Sequence, residues 1–128
     1  MSLGELALHI AGSPRFTMGS AIEDAIEALD ESPSVEPAST LELLAVHDDD
    51  VMKAKEALAK LGDSGLQKSW RMVSKAGDTL FEWPKATLVR SYAFKHVYHH
   101  RGQLSVYLRL LDVPAPSIYG PSADESLR

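Results

Sequence analysis

The stretch that decides the fold is Val89-Arg90-Ser91-Tyr92-Ala93-Phe94-Lys95-His96-Val97-Tyr98-His99-His100-Arg101-Gly102-Gln103-Leu104-Ser105-Val106-Tyr107-Leu108-Arg109-Leu110. Val89, Ala93, His96, His100, Gln103, Tyr107 and Leu110 recur at alternating intervals of four and three. That is a heptad seam, and a seam faces partner helices. The longest helix of the chain is therefore expected here, with Pro84 in its first turn. At three seam positions, where packing alone would call for Leu, Ile or Ala, stand His96, His100 and Gln103. Gly102 costs up to about 1 kcal/mol relative to alanine inside a helix, which suggests close approach by another element.

Upstream, Ser2-Leu3-Gly4-Glu5 and Ser39-Thr40-Leu41-Glu42 both have the Ser-x-x-Glu form of a helix-starting capping box. The first helix is expected from Leu3 to about Leu29, with a stripe of Leu3, Leu6 and Ile10 and a kink at Ser13-Pro14. Residues 31–39, with Pro33 and Pro37, read as a linker. The second helix is predicted to pack through Leu41, Leu44, Val51, Leu58 and Leu61 and to stop at Gly62, with loop from Asp63 to Gln67. Trp70–Val73 and Thr79–Trp83, flanking Ala76-Gly77-Asp78, suggest a short β-hairpin leaning on the helices. Val113-Pro114-Ala115-Pro116 ends the last helix, and Ile118–Pro121 reads as an ordered turn. The whole, residues 1–128, is read as one all-α domain with three long helices.

Composition narrows the chemistry. Hydrophobic residues make up 45% and charged residues 24% of the 128, as in an ordinary globular protein. The absence of cysteine removes disulfides, thiolate metal sites and cysteine nucleophiles, leaving His, Asp and Glu as ligands. No run is apolar enough for a membrane span and no signal-peptide pattern is present, so the expected compartment is the cytoplasm. A net charge of −5 argues against a nucleic-acid partner. The 84–111 segment has bases and no acid, which suits a basic helix packed beside acidic ones. No Gly-x-Ser-x-Gly, Walker loop or Gly-x-Gly-x-x-Gly occurs.

His96 and His100, one turn apart, project from nearly the same side of a helix and can share one metal ion. A lone inward histidine is more often part of a buried hydrogen-bonded network, but a His-x-x-x-His pair on a seam favours metal. A third ligand would come from another helix. His9, beside the Leu3–Leu6–Ile10 stripe, is the natural candidate; His47 competes, though it lies off its own helix's stripe. Asp48, Asp49 and Asp50 look like a solvated face. His99 is turned about 100° from His100 and falls outside the set. Three neutral histidines leave positions open for water or substrate, as in a catalytic site, and suit zinc, nickel, iron or copper better than magnesium or calcium.

Gly4-Glu5-Leu6-Ala7-Leu8-His9-Ile10-Ala11, His96 through Arg109, and Tyr119-Gly120-Pro121-Ser122-Ala123-Asp124-Glu125 together resemble the DinB (damage-inducible) family, over essentially the whole chain. The resemblance implies an up-down helical bundle holding a divalent transition metal through His9, His96 and His100. It implies a metal-dependent enzyme, a thiol S-transferase or hydrolase acting on a small molecule, with a low-molecular-weight thiol as co-substrate. Arg101 and Gln103 would then orient or buffer the site, and the protein would be a homodimer. The competing class is a non-catalytic stress-response or metal-binding protein. Family members carry a helix before the segment beginning here at Leu3, so one helix fewer is expected, leaving an apolar groove. Tyr119 and Asp124 are expected to pin the tail rather than border the pocket.

Overall fold

The computed structural model describes residues 1–28 and 35–125. It contains α1 (Leu3–Ile22), β1 (Ala25–Glu27), α2 (Thr40–Leu66), β2 (Ser69–Val73), β3 (Thr79–Pro84), α3 (Lys85–Leu88), a π-helical stretch (Val89–Lys95) and α4 (His96–Leu110). The last three run head to tail as one helix, since the joining residues Leu88, Val89, Lys95 and His96 all keep helical backbone angles. Three long helices thus carry the fold, with α1 packed against both α2 and the last helix. No helix among the described residues is long and apolar enough to cross a membrane.

Local sequence explains most of these boundaries. The Ser2 hydroxyl accepts from Glu5 N–H at 3.1 Å while the Glu5 carboxylate accepts from Ser2 N–H, a complete capping box. At α2 the Ser39 hydroxyl accepts from Glu42 N–H at 3.1 Å, but the Glu42 carboxylate reaches one residue further, to Ala38 N–H. Helix α1 continues through Pro14 rather than breaking there. Its buried Ser13, Thr17 and Ser20 hydroxyls each donate back one turn, to His9 O, Ser13 O and Phe16 O, so no polar group is orphaned on the packed face. Gly62, at φ 60° and ψ 178°, interrupts α2, in a conformation that side chains disfavour. The chain then makes one more helical turn to Leu66 where a loop was expected.

The hairpin forms as expected, with Trp70 opposite Trp83 and a bulge between Met72 and Val73. Its turn is tied by the Ser74 hydroxyl, which accepts from Ala76 and Asp78 N–H, and Gly77 takes φ +89°. The first helix was expected to run on to about Leu29, but it ends at Ile22. Residues Ala25–Glu27 instead form a strand parallel to Arg71–Val73 of β2. Leu29 itself, like 31–34 of the expected linker, lies outside the described residues. A three-residue strand has no readable periodicity; its partner nearly fifty residues away creates it.

The core gathers Met18 and Ala21 of α1, Ala54 and Ala57 of α2, Trp70 of β2, and Leu88 and Val89. This corrects the expected packing face of α2. Leu41, Leu44 and Leu58 are exposed, Leu41 at 78%, and Asp50, Ala54 and Ala57 face inward instead. Small alanines let the α1 and α2 backbones approach closely, which turns the leucine stripe outward. Asp50 is accordingly not on a solvated face: it is 6% exposed, with Oδ1 3.4 Å from Arg15. Lys85 is likewise buried, donating to Asp24 Oδ1 at 2.8 Å and to the Ile22 carbonyl at 3.3 Å. It supplies the positive charge that the C-terminal end of α1 lacks in its own sequence. Its ammonium also holds the Asp24 carboxyl below the usual carboxylate range, first by hydrogen bond and then by charge.

Candidate metal centre

The His-x-x-x-His pair sits at the start of α4, directly after the π-helical stretch, where His96 N–H donates to Ser91 O five residues back. A π turn holds one more residue per hydrogen-bonded ring than an α turn. The stretch therefore lets Val89 remain in the core while His96 and His100 turn toward α1. Opposite them, the second turn of α1 presents His9. His9 Nε2 lies 2.8 Å from His96 Nε2, and His100 Nε2 lies 3.1 Å from the same atom. The rings meet edge to face, with centroids 4.3–5.0 Å apart.

Three nitrogens so arranged could share a cation. The Gln103 amide oxygen accepts from His100 Nδ1 at 2.7 Å, so the proton of neutral His100 sits on Nδ1 and Nε2 carries a lone pair. That lone pair points at His96 Nε2, which can satisfy only one neighbour by a hydrogen bond. A shared cation resolves the conflict. Tetrahedral ligation at 2.0–2.1 Å would set the nitrogens roughly 3.4 Å apart, a small outward adjustment from what is seen. Burial, and then the charge of His100, lowers the pKa of His9. His96 is lowered by burial first and then by His100, His9 and His99. Both effects favour the neutral, ligating form. The three histidines could hold a metal ion.

The other expected site residues are placed differently. Gln103, although exposed, touches the centre through His100. The Arg101 guanidinium stacks between the Tyr98 and Tyr119 rings, 5.2 Å from each centroid. His99 is exposed beside His100, and His47 is exposed on α2 outside the cluster. The space that a Cβ would enter at Gly102 is open, contrary to the close approach expected there. The expected seam also fades: no residue of α4 is buried, and Leu110 is exposed.

Sequence reading missed what adjoins the histidines. A cavity of about 370 Å³ opens beside His9 and His96, walled by Leu8, Phe16 and Tyr92. Gly12, Ser13 and Thr17 form the α1 side of it. Tyr92 also stacks toward His96 at 6.0 Å and toward Trp83 at 6.1 Å, so the hairpin supports the wall. The available signal was Tyr92 one turn before His96, masked because the seam was drawn through Ala93.

The tail is pinned as expected. Asp124 accepts from Ala115 N–H at 2.9 Å and pairs with Arg109 at 2.7 Å. The first contact, then the second, lowers its pKa. A carboxyl whose folded pKa is depressed stabilises the folded tail above its unfolded pKa, and loses that contribution as pH falls through the folded value. Hydrogen exchange at Ala115 N–H, taken relative to its intrinsic rate at each pH, should thus stay slow at neutral pH and gain only below about pH 3.9. Asp124→Asn should accelerate it at neutral pH.

A family model described as DinB family matches residues 1–127. No curated protein and no solved structure matches the chain.

Proposed function

The chain belongs to the DinB family, and on that footing we propose a metal-dependent enzyme in which His9, His96 and His100 hold one divalent transition metal ion, zinc, nickel or iron. The reaction is thiol S-transfer or hydrolysis on a small molecule, with a low-molecular-weight thiol as partner in the first case. The observation that carries this reading is the convergence of three Nε2 atoms with one tautomer fixed. When bound, the ion supplies Lewis-acid activation of a thiol, a water or a carbonyl.

The chain's own residues do the rest. Gln103 holds the His100 ring in place and keeps its Nδ1 protonated. The cavity beside His9 and His96 receives the substrate and excludes bulk water from one side of the centre. Arg101, between Tyr98 and Tyr119, fixes the tail against α4 and acts at a distance from the reacting atoms. The whole chain works as one domain, in the cytoplasm, as a homodimer. Exposed Leu41, Leu44, Val106 and Leu110 support association between copies.

Protein purified without a histidine tag and reconstituted should carry about one equivalent of transition metal by elemental analysis. Turnover of thiol with an electrophile, or hydrolysis, should be lost in His100→Ala and kept in His47→Ala. Less than about a tenth of an equivalent after reconstitution sinks the reading. Replacing Gln103 by Leu should lower metal affinity about 10- to 100-fold, because the His100 ring loses its orienting partner. Gln103→Glu, which still accepts from Nδ1, should keep the affinity; chelator competition measures both.

A further inference from the structure

We infer that the cavity between α1 and the π-helical stretch is a subsite for an uncharged aryl or aliphatic group, so that the protein acts on neutral apolar compounds and rejects anionic ones. This rests on the histidine-centre reading for where the reacting end of the compound goes. The occupant's chemistry is read from the walls.

Leu8, Phe16 and Tyr92 give the cavity apolar and aromatic sides, and no Asp, Glu, Lys or Arg among the described residues lines it. The hydroxyls of Ser13 and Thr17 donate to His9 O at 2.6 Å and Ser13 O at 2.9 Å. Their protons are therefore spent inside α1 and are not offered to a ligand. Against Leu8, Phe16 and the face of the Tyr92 ring, away from the imidazoles, a carboxylate or phosphate would lose hydration and meet no charged partner, which is unfavourable. An apolar group loses nothing comparable and gains contact with two aromatic faces. The volume of 370 Å³ exceeds the roughly 150 Å³ apolar cavity that accommodates benzene. A fused bicyclic ring fits. His9 and His96 also line it, so a compound seated on Phe16 and Tyr92 can present its polar end to the imidazoles.

The test is an NMR titration of isotope-labelled, metal-free protein with β-naphthol and, separately, β-naphthoate, which differs in carrying a charge. β-Naphthol should shift the amides of Leu8, Gly12 and Tyr92, and β-naphthoate should bind at least about tenfold more weakly. Phe16→Ala removes a half-exposed side chain and replaces it with a better helix former, so the fold is retained. It should weaken β-naphthol about fivefold. Phe16→Lys should reverse the preference toward β-naphthoate. Equal affinity for the two probes, shifts confined elsewhere, or no response to β-naphthol overturns the subsite. Zinc uptake by equilibrium dialysis of the same sample scores the metal reading separately: β-naphthol binding without zinc leaves the cavity and removes the centre, and zinc binding without β-naphthol does the reverse.

Discussion

Zinc at a thousandfold its dissociation constant should raise the stability of the metal-free chain by about 4 kcal/mol, or roughly 10–15 °C in melting temperature for a chain of this size, and His96→Ala should abolish the rise. The size of the effect is set by the ratio of zinc to its dissociation constant, and its place by how α4 is held. It buries no residue, and its polar contacts with the N-terminal end of the chain include the histidine cluster and a hydrogen bond from Tyr107 to the Met1 carbonyl at 2.8 Å. A cation shared by His9 and the His96–His100 pair therefore ties α1 to α4 where apolar burial is sparse. His96 is the residue to remove because both other imidazoles approach its Nε2. Losing it leaves two ligands with no common neighbour. Calorimetry with zinc and with chelator measures this. A melting temperature indifferent to zinc, or one that rises equally in His96→Ala, would contradict the centre.

Trp70→Ala should cost about 3–5 kcal/mol, a large share of the roughly 5–15 kcal/mol that holds a domain together. Trp70 is 1% exposed and joins the sheet to all three long helices through Met18, Ala21, Ala54, Ala57, Leu88 and Val89. Three of those six are alanines, too short to reach into the space it would leave. Trp70→Phe should be much milder than the lost volume suggests. The indole Nε1 is buried without a hydrogen-bond partner among the described residues, and removing an orphaned donor recovers its desolvation cost, about 1–3 kcal/mol. Urea unfolding of the two variants tests the pair of statements together. A Phe variant as unstable as the Ala variant would show that the unpaired N–H is not a burden.

Sequence was informative wherever short-range spacing decides the structure. The capping serines, the hairpin from Trp70 to Trp83, and the common direction of His96 and His100 all follow from contacts a few residues apart. Reading failed where a distant element decides. The inward face of α2 depends on whether α1 offers alanines or larger side chains at the crossing, so Asp50, Ala54 and Ala57 displaced the leucines. Strand β1 exists because Arg71–Val73 is beside it. The position of His9 was recoverable from an apolar stripe, but its contact with His96 needed α1 and α4 to be placed side by side. The aromatic wall around Tyr92 escaped notice for a different reason: regular heptad counting cannot register a turn with one residue too many.

That wide turn, Val89–Lys95, also governs which changes of chain length the protein can absorb. In an α-helix each residue carries about 100° of rotation. Deleting one residue between Val89 and Lys95 would let ordinary α-helical bonding close up, and because the wide turn holds one residue more than an α turn, everything beyond it would keep its direction relative to Leu88. A deletion in the α-helical turn before it, Lys85–Leu88, would instead swing His96 and His100 away from His9, with neither histidine altered. A length change in the turn after β2 would leave the same geometry untouched.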